Sequence, residues 1–148
     1  MAVDVQCVTT IPRPREEVAA YAADPDHTTS WYANIDRVEW QTPPPLGMGS
    51  RLTFVARFLG RTLTYTYEII ELVPGERLVM RTAEGPFPME TTYTWTDAAP
   101  GATTMTLRNR GEPAGFAKLA RPVMDRAIRR AMRADLRRLR DLLVARHC

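Results

Sequence analysis

The stretch that most constrains this chain is its last, Phe116 to Arg146. Ile128, Ala131, Met132, Leu136, Leu139, Leu142 and Leu143 recur every three or four residues, while the opposite side is mostly arginine. That spacing lays one apolar stripe along a helix. From Pro122 to Arg146 the helix spans roughly 35 Å at about 1.5 Å per residue. A rod of that length with one apolar face needs a broad, concave apolar partner, which the preceding residues must supply. Pro122 has no N–H to donate and fits a helix only in its first turn. The helix therefore begins near Arg121, or an earlier turn over 115–120 joins it through a kink. Phe116, Leu119 and Ala120 carry the apolar pattern backwards and favour the kink.

Upstream the period changes from helical to alternating. Val3, Val5, Cys7 and Thr9 predict a first strand with one buried face, closed by Pro12 and Pro14. Arg15 to Ala23 reads as a short helix stopped by Asp24-Pro25, and a second turn holds Thr28 to Tyr32. Alternation then marks strands over Ile35–Gln41, Arg51–Phe58, Arg61–Val73, Arg77–Ala83, Met89–Thr96 and Thr103–Asn109. Pro43-Pro44-Pro45, Leu59-Gly60, Pro74-Gly75 and Gly85-Pro86-Phe87-Pro88 punctuate them. Hairpin-sized connections dictate antiparallel pairing, and helices set apart from the strands dictate an α+β fold. The expectation is a curved antiparallel sheet of about seven strands around the long C-terminal helix, with two short helices after strand 1. A strongly twisted sheet wrapped this way leaves a pocket between itself and the helix.

With 148 residues and 45% hydrophobic content, the chain suits a single domain, 1–148, large enough to bury a core and keep a cavity beside it. No apolar run approaches the ~20 residues of a membrane span, and the opening MAVDVQCVTT lacks the pattern of a signal peptide. A cytoplasmic protein with no integral membrane segment is expected. Cys7 and Cys148 read as free thiols. Neither His27 nor His147 has a second ligand at metal spacing, so no metal and no cofactor are expected.

The net charge of +3 is unevenly spread. Residues 116–148 hold ten basic groups against three acidic, and the rest hold ten against fourteen. The arginine side of the helix reads as a solvated outer face, with Asp125 and Arg129, and Arg137 and Asp141, pairing at four-residue spacing. No motif or interleaved aromatics point to nucleic acid. Nineteen arginines against one lysine suggest a GC-rich bacterial genome.

Strand alternation also selects candidate site residues. Tyr65, Tyr67, Tyr93 and Trp95 share faces with Leu63, Ile69 and Met89, which places them toward the pocket. Phe54 and Phe58 alternate with the polar side of their strand, Asn109 shares a face with Met105 and Leu107, and Trp31 sits beside the first helix. Together with Met132 and Leu136 on the helix stripe, these give an expected ligand-binding set of Trp31, Phe54, Phe58, Tyr67, Met89, Trp95, Asn109, Met132 and Leu136. Aromatic strand residues serve equally well as plain core with a polar tip at an edge. Asp135 lies four residues after Ala131 and four before Leu139, inside the apolar stripe. A carboxylate there is desolvated, its pKa rises, and it becomes fit for acid or base work; alternatively it turns toward Arg138. Asp135, with the hydroxyls of Tyr65 and Tyr93, forms the catalytic candidate set. Arg57 and Arg81 read as exposed strand arginines.

These residues resemble a known family. An opening strand ends in Ile11-Pro12 before a helix with Glu17-Val18; Asp24-Pro25 precedes Trp31; Gly47-Met48-Gly49 approaches a strand. Glu71-Leu72-Val73-Pro74-Gly75-Glu76-Arg77-Leu78, Gly101-Ala102-Thr103 and the closing helix complete the pattern. In order and spacing the chain resembles the START-like, or SRPBCC, superfamily in its polyketide cyclase/dehydrase and lipid-transport branch. The resemblance implies a helix-grip fold whose cavity binds a small hydrophobic molecule, such as a polyketide, lipid or quinone. It implies either a polyketide cyclase/dehydrase of secondary metabolism or a non-catalytic lipid or quinone carrier, as monomer or homodimer, and leaves turnover open.

Overall fold

The computed structural model describes residues 3–58, 60–85, 88–112 and 121–146, apart from the side chains of Phe58 and Arg121. Strand β1 (Val3–Ile11) leads into helix α1 (Arg15–Ala23), a single 3₁₀ turn at Pro25–His27 and the four-residue helix α2 (Thr28–Trp31). Six strands follow, β2 (Ile35–Trp40), β3 (Arg51–Phe58), β4 (Arg61–Val73), β5 (Arg77–Glu84), β6 (Met89–Ala99) and β7 (Ala102–Gly111), and then helix α3 (Arg121–Ala145). The proposed kink over 115–120 lies outside the described residues, as do His147 and Cys148.

All seven strands form one antiparallel sheet in the order β1-β7-β6-β5-β4-β3-β2. Strands β2 to β7 are consecutive neighbours; the connections after β3 are short, while the longer segment 41–50 joins β2 to β3. At two of these turns Gly75 and Gly101 take positive φ, near 78° and 76°, which glycine adopts without a Cβ clash. The link from β1 to β2 must cross from one edge of the sheet to the other, and α1 and α2 make that crossing. Bulges between β4 and β5, with Ala83 the extra residue on β5 and Ile70 the extra residue on β4, add to the bend of the sheet around the helix. The result is a curled half-barrel closed on its open side by α3, the helix-grip arrangement.

The helix is seated by its stripe. Met124, Met132, Leu136, Leu139 and Leu143 are buried, and Ile128 and Leu142 pack against the same core. They meet the inward residues of the sheet, among them Val5 and Cys7 of β1, Tyr93 and Trp95 of β6, and Met105 and Leu107 of β7. Cys7 is a buried free thiol, its Sγ 3.8 Å from the carbonyl oxygen of Arg129. Among the described residues no helix is long and apolar enough to cross a membrane.

Candidate functional site

Helix α3 packs closely on β1 and α2 but stands away from the far half of the sheet, strands β3 to β5. The gap is a cavity of about 180 Å³. That is more than ten times the room a single water needs, roughly 15 Å³. Its walls are mostly apolar: Phe54 and Leu63 from the sheet, Met80 and Met89 from β5 and β6, and Met124, Ile128 and Met132 from α3.

Polar groups cluster at two places in this wall, with Thr28, Asn34, Arg57 and Tyr65 elsewhere in the lining. The first is a corner made by Tyr32, Tyr93 and Asp135. The hydroxyls of Tyr32 and Tyr93 lie 2.7 Å apart in a hydrogen bond. Burial raises the pKa of both phenols, so both stay protonated near neutral pH and remain donors. The second is a string across β4, β6 and β7. Thr91 donates its hydroxyl proton to Asn109 Oδ1 at 2.6 Å, and a hydrogen bond with Thr91 partly offsets the burial that pushes Tyr67 up to about 12.

Asp135 is 4% exposed. Its Oδ1 accepts from the backbone N–H of Ala33 at 3.1 Å and from Arg138 Nη1 at 3.3 Å. The same Arg138 nitrogen donates to the carbonyl of Trp31 at 2.9 Å, so Asp135 and Arg138 together clamp the end of α2 to α3. Burial raises the carboxyl's pKa to about 6, against the opposing pull of Ala33 and Arg138. The two sequence readings of Asp135 are thus compatible, since it lies in the cavity wall and also reaches Arg138. Oδ2 carries no hydrogen bond to a described residue, which leaves that oxygen for a bound molecule.

The raised value has a consequence for stability. Between pH about 4 and 6 the folded chain holds the Asp135 proton more tightly than the unfolded chain does, so its contribution falls as pH rises through that window. A shift from 3.8 to about 6 corresponds to up to about 3 kcal/mol. Denaturant unfolding at pH 4 and pH 7 is expected to show wild type losing up to that amount relative to Asp135→Asn, which lacks the titration. A difference that stays flat with pH would rule the shift out.

Of the sequence candidates, Phe54, Tyr65, Tyr67, Met89, Tyr93, Asn109, Met132 and Asp135 line the cavity. Tyr65 is seated against Gly85, where a Cβ would come within 2.8 Å of its ring. Trp31, Trp95 and Leu136 do not line the cavity; they are core, at 0%, 2% and 2% exposure. Trp31 packs on Tyr32 and Tyr93, with centroids 4.2 and 5.8 Å away, and Trp95 packs edge-on to Tyr93. The side chain of Phe58 lies outside the described residues. Arg57 borders the cavity while pairing with Asp36 on β2, and Arg81 is exposed. Sequence reasoning missed Tyr32, Asn34, Met80 and Thr91. Thr91 was legible by alternation with Met89 and Tyr93, but Tyr32 caps a four-residue helix that has no periodicity to read.

The sequence that builds this curled sheet, long helix and mostly apolar cavity matches a known family over residues 2–144, that of polyketide cyclase / dehydrase and lipid transport. The chain belongs to that family. No curated protein matches the sequence significantly. Among solved structures, TTHA0849 from Thermus thermophilus superposes with a TM-score of 0.83 at 21% identity, over 98% of this chain and 99% of that one. The Zhui aromatase/cyclase from Streptomyces sp. R1128 gives 0.81 at 18% identity, over 100% and 97%. A START superfamily protein from Mycobacterium smegmatis gives 0.79 at 12% identity, over 93% and 94%. At these identities the likeness establishes the fold, and this family member shares the START-like helix grip.

Proposed function

We propose that the cavity binds a small, mainly apolar molecule bearing several oxygens, of the polyketide type, and that Asp135 serves as the acid and base in its cyclisation or dehydration. The observation that carries this reading is a carboxyl group of pKa about 6 in the wall of a mostly apolar cavity, beside two protonated phenols. Near neutral pH such a group is partly ionised, so it takes and returns a proton readily. In its carboxylate form Asp135 removes a proton from a carbon next to a carbonyl, and that carbon forms the new C–C bond to a second carbonyl. The protonated carboxyl returns that proton to the alkoxide so formed, giving a hydroxyl; in the dehydration the carboxylate removes a second proton from the same carbon and delivers it to that hydroxyl, which leaves as water as the C=C bond forms. Tyr93 or Tyr32 donates a hydrogen bond to the carbonyl oxygen on which negative charge develops. The cavity holds the flexible chain folded, which itself removes much of the entropic barrier. The family likeness to an aromatase/cyclase supports the reaction class.

A carrier without turnover is the second reading, favoured by the clamp that Asp135 Oδ1 makes to Ala33 and Arg138, which is a structural use of the same group. Both readings require an occupied cavity. Native mass spectrometry of the purified protein is expected to detect an apolar molecule bound one per chain. Thr91→Trp, which fills the wall between Tyr67 and Asn109, is expected to lose it. Failure of wild type to carry such a molecule, or to take up an added aromatic polyketide, would remove both readings.

A further inference from the structure

The arginines of this protein divide into two groups. On the sheet, Arg51, Arg57, Arg77, Arg108 and Arg110 each pair with a carboxylate on the neighbouring strand. On α3, Arg126, Arg130, Arg133, Arg137 and Arg140 are all exposed, and none meets a carboxylate among the described residues. Their spacing of four, three, four and three residues keeps all five on one line of the helix, opposite the buried stripe. The line runs roughly 21 Å at about 1.5 Å per residue. Among the described residues the Arg137–Asp141 pairing expected at four-residue spacing is not formed, and neither residue has an ion-pair partner there, while Arg129 donates to the carbonyl of Gln6. Five like charges in one row repel one another and weaken an isolated helix, so the row is a standing cost unless something anionic covers it.

We propose that this outer face of α3 docks on an anionic lipid surface. A straight rod meets a plane along its whole length, whereas it meets the curved backbone of a duplex over only part of it. The face carries no aromatic side chain for stacking on bases and no amide for reading them, so it senses charge alone. Val123, 50% exposed, continues the same side of the helix one turn before Arg126 and supplies an apolar contact for the interface. Met124 and Ile128 on the inner side of that same end line the cavity. Docking therefore brings the cavity within about one helix diameter, roughly 10 Å, of the headgroups. The surface stands on its own observations and does not depend on what the cavity holds.

Sedimentation with vesicles of one part phosphatidylserine to three parts phosphatidylcholine tests this. The protein is expected to bind them and not vesicles of phosphatidylcholine alone. Binding should weaken between about 10 mM and about 150 mM salt, as the screening length falls from about 30 to about 8 Å. Each arginine at such a surface contributes roughly fivefold, so reversing Arg130, Arg133 and Arg137 together to glutamate is expected to cost more than about a hundredfold. The corresponding triple lysine variant should bind as wild type does. If circular dichroism shows the glutamate variant unfolded, the triple glutamine variant gives the same reading. Equal binding to neutral vesicles, anionic binding that survives the substitutions, or tighter binding to duplex DNA at about 150 mM salt would each overturn the proposal.

Discussion

Asp135→Asn is expected to lower turnover of a polyketide-like substrate by roughly 10²- to 10⁴-fold, the range a positioned acid or base supplies, while leaving its binding within a few fold. Asparagine keeps the shape and an oxygen that accepts from Ala33, so the packing of α2 on α3 survives. What it loses is the titratable proton. In wild type, kcat/KM is expected to change with an apparent pKa near 6, and in the variant that limb should vanish. Steady-state kinetics across pH 5 to 8, with binding followed separately by tryptophan quenching, distinguish the outcomes. Unchanged turnover in the variant would assign Asp135 to the clamp alone and leave the carrier reading. Tyr93→Phe is expected to have a smaller effect, because Tyr32 at 2.7 Å remains as a second donor in the same corner.

The second large effect is structural. Leu139 is completely buried at the centre of the α3 stripe, and Leu139→Ala is expected to destabilise the chain by about 3 to 4 kcal/mol through lost transfer energy and the void left behind. For a domain of this size that lowers Tm by roughly 6 to 16 °C. Leu142, next to it in helical register but only partly buried, should cost less than half as much. Thermal and urea unfolding of the two variants measure the difference. Equal effects at both positions would mean that the helix is not held by the stripe described above.

Much of this architecture is legible in the sequence because each strand repeats one rule. Leu52, Phe54 and Ala56, or Leu63, Tyr65 and Tyr67, alternate without a break, so β3 and β4 begin and end where the pattern does. Asp135 stands out for the same reason, as the one carboxylate inside an apolar stripe that is otherwise aliphatic. Alternation reports which side of the sheet a residue faces and nothing about its depth along the barrel. Trp95 and Tyr93 therefore look equivalent in sequence, although Trp95 is packed in the core and Tyr93 lines the cavity. Leu136 fails likewise, because adjacent positions on the stripe meet either packed side chains or open space. Tyr32 is placed by tertiary contacts alone, through Tyr93 and Trp31. That Arg137 and Asp141 do not pair among the described residues was also invisible, since spacing permits a pair without compelling it.

The partnership of β1 with β7 bears on how the chain is made. Val3 pairs with Gly111 and Ile11 with Thr103, and no other described strand borders β1. During synthesis at about 5 to 20 residues per second, the first strand emerges roughly 5 to 20 seconds before its mate exists. Throughout that interval Val3, Val5, Cys7 and Ile11 form a sticky, unmated ribbon on the ribosome, the kind of segment that chaperones shield. Pairing of β1 is thus among the late acts of assembly, completed only as β7 and then the helix that packs on β1 arrive, and until then nascent β1 is open to misassociation.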